Sequence, residues 1–202
     1  MKRFLALALV VGSGASAYAA GTWKDRAYDA TYTYSSAQGT GDYRMASDGK
    51  GRMLVETKLP AMNSLTIVDA PSRVTYMISN VNGQKTAMKM PYKEEAAPAN
   101  TDEAMKKLNA KSLGVKVVDG HPSQGWSYTQ SGITTESWIG KDIDFMVRST
   151  TTGPQMKTSM VMKSFKGTGP AATAFQVPAG VKLVDMSQMQ QMYGNPGKTA
   201  GQ

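Results

Sequence analysis

The most constraining feature of this sequence is a regular alternation of apolar and polar residues over short runs separated by turn residues. Met53, Val55 and Leu59, for example, alternate with the charged residues Glu56 and Lys58. Period two is the spacing of side chains on one face of a strand, so each run predicts a half-buried β-strand. Clusters of Gly, Pro, Asn, Asp and Ser between the runs predict tight turns, for example at Gly39-Thr40-Gly41 and at Ser131-Gly132. The chain is therefore predicted to be mainly β, an antiparallel meander on each side of a polar linker.

Two segments break this pattern and predict helices. Thr101 is typical of an N-cap and acidic residues follow it, so a helix is expected from Asp102 to Ser112. After a short edge-like strand from Phe175 to Gly180, a short C-terminal helix is expected from Leu183 to Tyr193. A helix of about eleven residues spans only about 16 Å, too little to cover so wide a sheet. The sheet is therefore predicted to close into a barrel or to curl into an open half-barrel with the mid-chain helix as a movable lid.

The N-terminus predicts export. A basic start, an apolar run from Phe4 to Val11 and the small residues Ala17 and Ala19 form the pattern of a secretory signal peptide over residues 1–19. The apolar run is too short for a membrane anchor, and the chain has no Cys to carry a lipid. The remainder is predicted to be one domain over residues 20–193 and a disordered tail over 194–202, located in the periplasm.

Composition excludes several kinds of chemistry. The chain has no Cys, so thiol catalysis and Cys-ligated zinc are excluded. Its net charge of +8 is scattered along the sequence, which argues against nucleic acid as a partner. The sequence has no Gly-x-Ser-x-Gly motif whose serine nucleophile the single histidine, His121, could activate. Glu136 with Asp142 or Asp144 is a weak pattern for a glycosidase pair. We therefore expect neither enzyme activity nor a cofactor.

Methionine provides the candidate binding residues, since 15 Met stand against 4 Phe. Methionine is flexible and polarisable, and it lines apolar surfaces that adapt to varied partners. The residues expected to line a hydrophobic cavity are Met53, Val55, Met88, Met90, Trp126, Tyr128, Met160 and Met162. The alternative for each of them is ordinary packing in the core.

A different chemistry is possible at the C-terminus. Met186, Met189 and Met192 recur every third residue, and thioethers are soft ligands suited to Cu(I). His121 could add a nitrogen ligand. The competing interpretation of this spacing is a packing stripe on a helix, so copper binding stands as an alternative to ligand binding.

Three short stretches resemble the LolA/LppX-like superfamily of periplasmic lipoprotein carriers and lipid-binding proteins. The segment from Glu136 to Arg148 is similar to a strand pair with Trp138, an acidic turn and a return strand. The segment from Phe175 to Val181 is similar to a C-terminal Phe-x-x-Pro-x-Gly-Val motif, and Val118-Asp119-Gly120 opens a strand as Val-x-Gly does in these families. The resemblance implies an open β half-barrel that binds acyl chains or another hydrophobic molecule.

Fold and resemblance together predict a periplasmic binding or carrier protein for a hydrophobic or amphipathic ligand, such as a lipid or a lipoprotein acyl chain. A third alternative, besides copper binding, is an interaction or sensor module that holds another envelope protein.

Overall fold

The computed structural model describes residues 25–60, 62–81, 83–92 and 101–186. The predicted signal peptide, the predicted tail and most of the linker lie outside these ranges and stay predictions. Twelve strands and two short helices make up the described chain. The strands are β1 (Ala27–Ser36), β2 (Gly39–Asp48), β3 (Arg52–Leu59), β4 (Met62–Asp69), β5 (Val74–Val81), β6 (Gln84–Pro91), β7 (Lys111–Val118), β8 (His121–Gln130), β9 (Ile133–Gly140), β10 (Phe145–Gly153), β11 (Met156–Lys166) and β12 (Leu183–Asp185). The helices are α1 (Thr101–Lys107) and a 3-10 turn at Ala172–Phe175.

All twelve strands belong to one sheet, in the order β12-β6-β5-β4-β3-β2-β1-β11-β10-β9-β8-β7. Strands β1 to β6 form one antiparallel meander and β7 to β11 form a second, and the pairing of β1 with β11 joins them. Strand β12 returns to pair in parallel with β6. Because β7 and β12 are the two edges, the sheet stays open and curved. The predicted mainly β half-barrel is confirmed.

Two hairpin turns show why local sequence sets this register. Asp119 and Gly120 have φ of 49° and 85°, and Ser131 and Gly132 have φ of 50° and 77°. Two-residue hairpins favour positive φ at these positions, which Gly and Asp tolerate. The predicted turn at residues 131–132 is confirmed. The turn predicted over residues 39–41 is wrong, because the chain turns at 37–38 and Gly39 already begins β2.

The mid-chain helix is shorter than predicted. It ends at Lys107, and Asn109 follows in the left-handed region with φ of 50°. Asn tolerates this conformation and ends helices as Gly does. The predicted end near Ser112 is therefore wrong, since Ser112 and Gly114 lie within β7. Ala104 and Met105 are buried as expected. The role of α1 as a movable lid remains a prediction.

The C-terminal segment also departs from expectation. The edge-like strand predicted from Phe175 to Gly180 is wrong, because Phe175 ends the 3-10 turn and the following residues form no strand. The helix predicted from Leu183 starts later, since Leu183–Asp185 is strand β12. Met186 is helical, and residues 187–193 lie outside the described chain.

Hydrophobic side chains pack on both faces of the sheet. One cluster joins β1 and β2 to β9, β10 and β11; its buried members are Tyr28, Ala30, Tyr32, Tyr43, Met45, Ile139, Phe145, Met146 and Met160. A second cluster lies under the C-terminal segment; its buried members are Ala46, Leu54, Ile67, Ile78, Ala87 and Phe175. The register of the strands places Met45 and Ala46 on opposite faces, so these two clusters meet the sheet from opposite sides.

Candidate ligand-binding face

Strand register brings the first four predicted site residues onto one face of the sheet. Directly paired residues on neighbouring strands share a face. One such row of partners runs Ala30, Met45, Val55, Thr66, Met77 and Met88. The adjacent row runs Tyr28, Ser47, Met53, Val68, Thr75 and Met90. We call the face that carries these rows the methionine face.

The other four predicted residues lie on the same face across the β1–β11 junction. Met160 pairs with Tyr34 and Met162 with Tyr32, both of which are on the methionine face. The row of paired residues that starts at Met160 continues across the strands through Ser149 and Ser137 to Trp126. The adjacent row starts at Thr158 and continues through Thr151 and Thr135 to Tyr128. All eight residues singled out in the sequence thus share one face, although they come from four strands.

Charge is separated between the two faces of the described strands. Each Asp, Glu, Lys and Arg of these strands falls in a row opposite the methionine face, except Lys163 at the β1–β11 bulge. The Lys163 ammonium lies 2.9 Å from Asp42, which belongs to the opposite face. There Arg44 also donates to Asp29 at 2.8 and 2.7 Å, and this hydrogen bond raises the pKa of Arg44. The methionine face therefore carries no formal charge from these side chains.

Six apolar residues at the β3–β6 end of this face are only half-buried. We call them the methionine patch: Met53, Val55, Val68, Met77, Met88 and Met90. The reverse side of the same strands is covered, because Phe175, Val177 and Val181 pack on the second cluster there. Gly180 has φ of 76°, a backbone conformation that favours glycine, and it turns this covering segment. One side of β3–β6 is therefore sealed by the chain, and the other presents apolar surface.

Buried tyrosines fill the centre of the methionine face. Burial raises the pKa of Tyr28, Tyr32 and Tyr43 well above the ordinary phenol value, so all three are neutral at physiological pH. The Tyr32 hydroxyl donates to the carbonyl of Met146 at 2.9 Å. The equally buried Tyr28 hydroxyl finds no hydrogen-bond partner in the described part of the protein. The face thus contains one unused polar group among its aromatic rings.

A buried row of hydroxyl groups lies beyond Met160 on β9 and β10. The side chains of Thr135 and Thr151 are 3.2 Å apart, and those of Ser137 and Ser149 are 3.3 Å apart. Burial raises the pKa of the neighbouring Tyr128, against an opposing hydrogen bond with Thr135. This row was not predicted from the sequence, since its members look like exposed polar positions in an alternating strand.

The structure sorts the predicted residues by exposure. Tyr128 and Met160 are 6% and 8% exposed and belong to the core, while the other six are half-buried. Met77 was missed, because the sequence pattern that predicts this strand is carried by Val74, Tyr76 and Ile78, with which Met77 alternates. Its signal was its position between Thr66 and Met88 of the neighbouring strands, which only the register reveals.

His121, which could add a copper ligand, is hydrogen-bonded to an acidic side chain. The Nδ1 atom of His121 lies 2.8 Å from Asp142, and this hydrogen bond lowers the pKa of that carboxyl group. Arg148 pairs with Asp119 at 2.5 and 3.0 Å. Within the described ranges no three His, Asp or Glu side chains are placed to share a metal ion. Met186 is half-buried, whereas Met189 and Met192 lie outside those ranges, so the copper alternative stays a prediction.

Comparisons with known proteins support the fold. Searches with the sequence find no matching family model and no matching curated protein. Among solved structures, an uncharacterized conserved protein from Thermus thermophilus is similar over 80% of this chain and 91% of its own, with 12% identity and a TM-score of 0.60. A chain of the Pseudomonas aeruginosa MucA/MucB complex is similar over 84% of this chain and 60% of its own, with 14% identity and a TM-score of 0.52.

These identities are low, so the likeness concerns the fold alone. This chain spans about three fifths of the MucA/MucB chain that it matches. Of the helices in the described ranges, none is long and apolar enough to cross a membrane. The open curved sheet that the sequence resemblance predicted is the one observed, and these two solved structures share its fold.

Proposed function

We propose that the protein binds a hydrophobic or amphipathic molecule, such as a lipid or acyl chain, on the methionine patch. The observation that carries this proposal is the separation of charge between the two faces of the sheet. A face that only met water would not exclude the charged side chains of its strands apart from Lys163 while leaving Met53, Met77, Met88 and Met90 half-buried. Adaptable thioether side chains suit a ligand of variable shape.

The energetics favour a ligand with a long apolar chain. Each methylene group removed from water contributes up to about 0.8 kcal/mol, or about fourfold in affinity. The patch forms two neighbouring rows across four strands, which are about 4.8 Å apart. It therefore extends roughly 14 Å across β3 to β6, so that an extended acyl chain could lie along it. The cost of ordering that chain reduces the net gain.

The face also provides a place for a polar group. The row beside Val55 and Met77 consists of Thr57, Ser64, Ser79 and Thr86. The hydroxyl groups of Ser79 and Thr86 are 2.7 Å apart. A ligand lying along the apolar rows would place a neutral or hydrogen-bonding head group next to this row. This arrangement favours an amphipathic ligand over a pure hydrocarbon.

The proposal is tested by titrating the purified protein with a fluorescent fatty acid and by native mass spectrometry of co-purifying lipid. Met88→Lys places a charge in the patch, and we expect it to weaken binding by at least about tenfold, since desolvating an ammonium costs several kcal/mol. Thr152→Lys is the matched control, because Thr152 is exposed on the opposite face. We expect its affinity to equal that of the unmodified protein.

Two results would contradict the proposal. One is an empty protein that binds no fatty acid or lysophospholipid. The other is binding that Met88→Lys and Thr152→Lys weaken equally, which would place the ligand elsewhere. Circular dichroism of both variants verifies that the fold is retained.

The role in the cell is part of the same proposal. If the predicted signal peptide is cleaved, the protein would reach the periplasm, where it would carry lipid or lipoprotein. A second candidate is a protein-interaction module, which the likeness to a chain of the MucA/MucB complex favours. Crosslinking in intact cells followed by pull-down distinguishes the carrier from the interaction module. A carrier would be recovered with lipid that can be extracted from it, and an interaction module would be recovered with one protein partner in stoichiometric amount.

A further inference from the structure

Strand β7 is an exposed sheet edge with an unusual side-chain pattern. It pairs only with β8 among the described strands, and all of its residues except Val118 are exposed. Val115 and Val117 are 58% and 69% exposed, the largest values among the exposed large hydrophobic residues of the described chain. Alternate residues of an edge strand direct their N–H and C=O groups away from the sheet. β7 therefore offers both backbone hydrogen bonds and apolar surface.

The two sides of this edge differ in chemistry. Val115 pairs with Gln124 and Val117 with Pro122, in rows that continue the methionine face. Lys111 and Lys116 fall on the opposite face, where the Lys116 ammonium lies 3.9 Å from the centroid of the Trp138 ring. An added strand would thus meet valines on one side and lysines on the other.

We infer that β7 binds an extended peptide segment of a partner protein, one that alternates apolar and acidic residues. The partner adds a strand along residues 114–118. Its apolar side chains pack beside Val115 and Val117, its carboxylates face Lys116, and Lys111 adds positive charge beyond the bulge. Main-chain hydrogen bonds supply affinity in this mode of recognition, and the alternating side chains supply specificity. This inference is independent of ligand binding on the methionine patch, because the patch lies on β3 to β6 and β7 is the far edge in strand order.

Charge favours an acidic peptide over a second copy of the chain. Antiparallel continuation of the sheet through two β7 strands would put the lysines of both copies on one face. Like charges across neighbouring strands are destabilising. The bulge between Ser112 and Gly114 further limits regular pairing to residues 114–118, a length suited to a short peptide segment.

The test is a fluorescence anisotropy titration of the purified protein with a labelled seven-residue peptide that alternates valine and glutamate. The control peptide alternates valine and lysine. We expect saturable binding of the acidic peptide, at least about tenfold tighter than that of the basic one, and weaker at high salt. Amide hydrogen exchange is expected to slow in β7 when the acidic peptide is bound.

Variants locate the site. Val115→Ser combined with Val117→Ser should weaken binding of the acidic peptide by about tenfold, because it removes the apolar contacts and leaves the charge unchanged. Val184→Ser is the matched control, because Val184 is 39% exposed on the other edge strand, β12; its affinity should be unchanged. Equal affinity for both peptides, no binding of either, or unchanged exchange in β7 would overturn the inference. Self-association that the double variant abolishes would also overturn it, since a second copy would then occupy the edge.

Discussion

Removing the Tyr28 hydroxyl should stabilise the protein, whereas removing the Tyr32 hydroxyl should destabilise it. The two tyrosines lie on the same strand and the same face, and both side chains are fully buried. They differ in one respect: the Tyr32 hydroxyl donates to the carbonyl of Met146, and the Tyr28 hydroxyl has no partner among the described residues. Tyr28→Phe and Tyr32→Phe therefore both remove a hydroxyl oxygen. In Tyr28 that oxygen has no hydrogen-bond partner among the described residues, and in Tyr32 it has one.

The expected magnitudes follow from these contacts. A buried hydroxyl without a partner costs about 1–3 kcal/mol of desolvation, so Tyr28→Phe should raise the free energy of unfolding by about 1 kcal/mol. Ring packing is retained, because the Tyr28 ring still lies 4.7 Å from that of Phe145. Tyr32→Phe leaves a buried carbonyl unpaired and should lower the free energy of unfolding by about 1–2 kcal/mol.

Urea unfolding followed by tryptophan fluorescence measures both changes. Equal m-values for the two variants and the unmodified protein verify that each exposes the same surface on unfolding, so that their free energies can be compared. The predicted difference between the two variants is about 2–3 kcal/mol. If Tyr28→Phe destabilises the protein as much as Tyr32→Phe does, the Tyr28 hydroxyl is bonded in solution and this reasoning is refuted.

Three further predictions concern stability. Gly125→Ala should lower the free energy of unfolding, measured in urea, by about 1–3 kcal/mol, since the new Cβ would lie 2.6 Å from the Trp138 ring. Gly167→Ala should leave this free energy unchanged, because a Cβ at Gly167 would have no atom within 4 Å. Asp48→Asn should destabilise the protein at pH 7, and this effect should shrink as the pH falls through the folded pKa of Asp48, which hydrogen bonds lower against the opposing effect of burial; an effect independent of pH would contradict this. Phe175→Ala should lower the free energy of unfolding by about 3–5 kcal/mol, because Phe175 covers the second cluster; a change below about 1 kcal/mol would show that the segment is dispensable.

The sign of the Asp48 effect follows from linkage. A carboxyl group whose pKa is lower in the folded state stabilises the fold above its unfolded pKa of about 3.9. That contribution is lost as the pH falls through the folded pKa. Burial alone would raise the pKa, but hydrogen bonds from Lys50 and Arg52 reverse its direction.

Alternation in the sequence was enough to predict most strands and the shared face of Met88 and Met90. It failed on β5, where Val74, Tyr76, Met77 and Ile78 make both faces apolar, so the inward side depends on neighbouring strands. Both faces of β5 are in fact used, Ile78 under the C-terminal segment and Met77 on the methionine face. Local periodicity cannot decide between two packed faces.

Other misses have tertiary causes. The methionine spacing after Leu183 predicted a helix, but pairing with β6 turns Leu183–Asp185 into a strand. The ion pair of Arg148 with Asp119 joins residues far apart in sequence, and only the sheet brings them together. The helix α1 ends near Asn109 because this single residue adopts the left-handed conformation. Asn occurs in many other local conformations as well, so the sequence did not mark this end.

The most direct test of ligand binding is photolabelling with a fatty acid that carries a diazirine on its chain, followed by peptide mapping. We expect the labels to concentrate on Met53, Met77, Met88 and Met90, and unlabelled fatty acid to compete for these positions. Labels on the opposite face, or labels spread over the surface without competition, would show that the methionine patch is not the binding site.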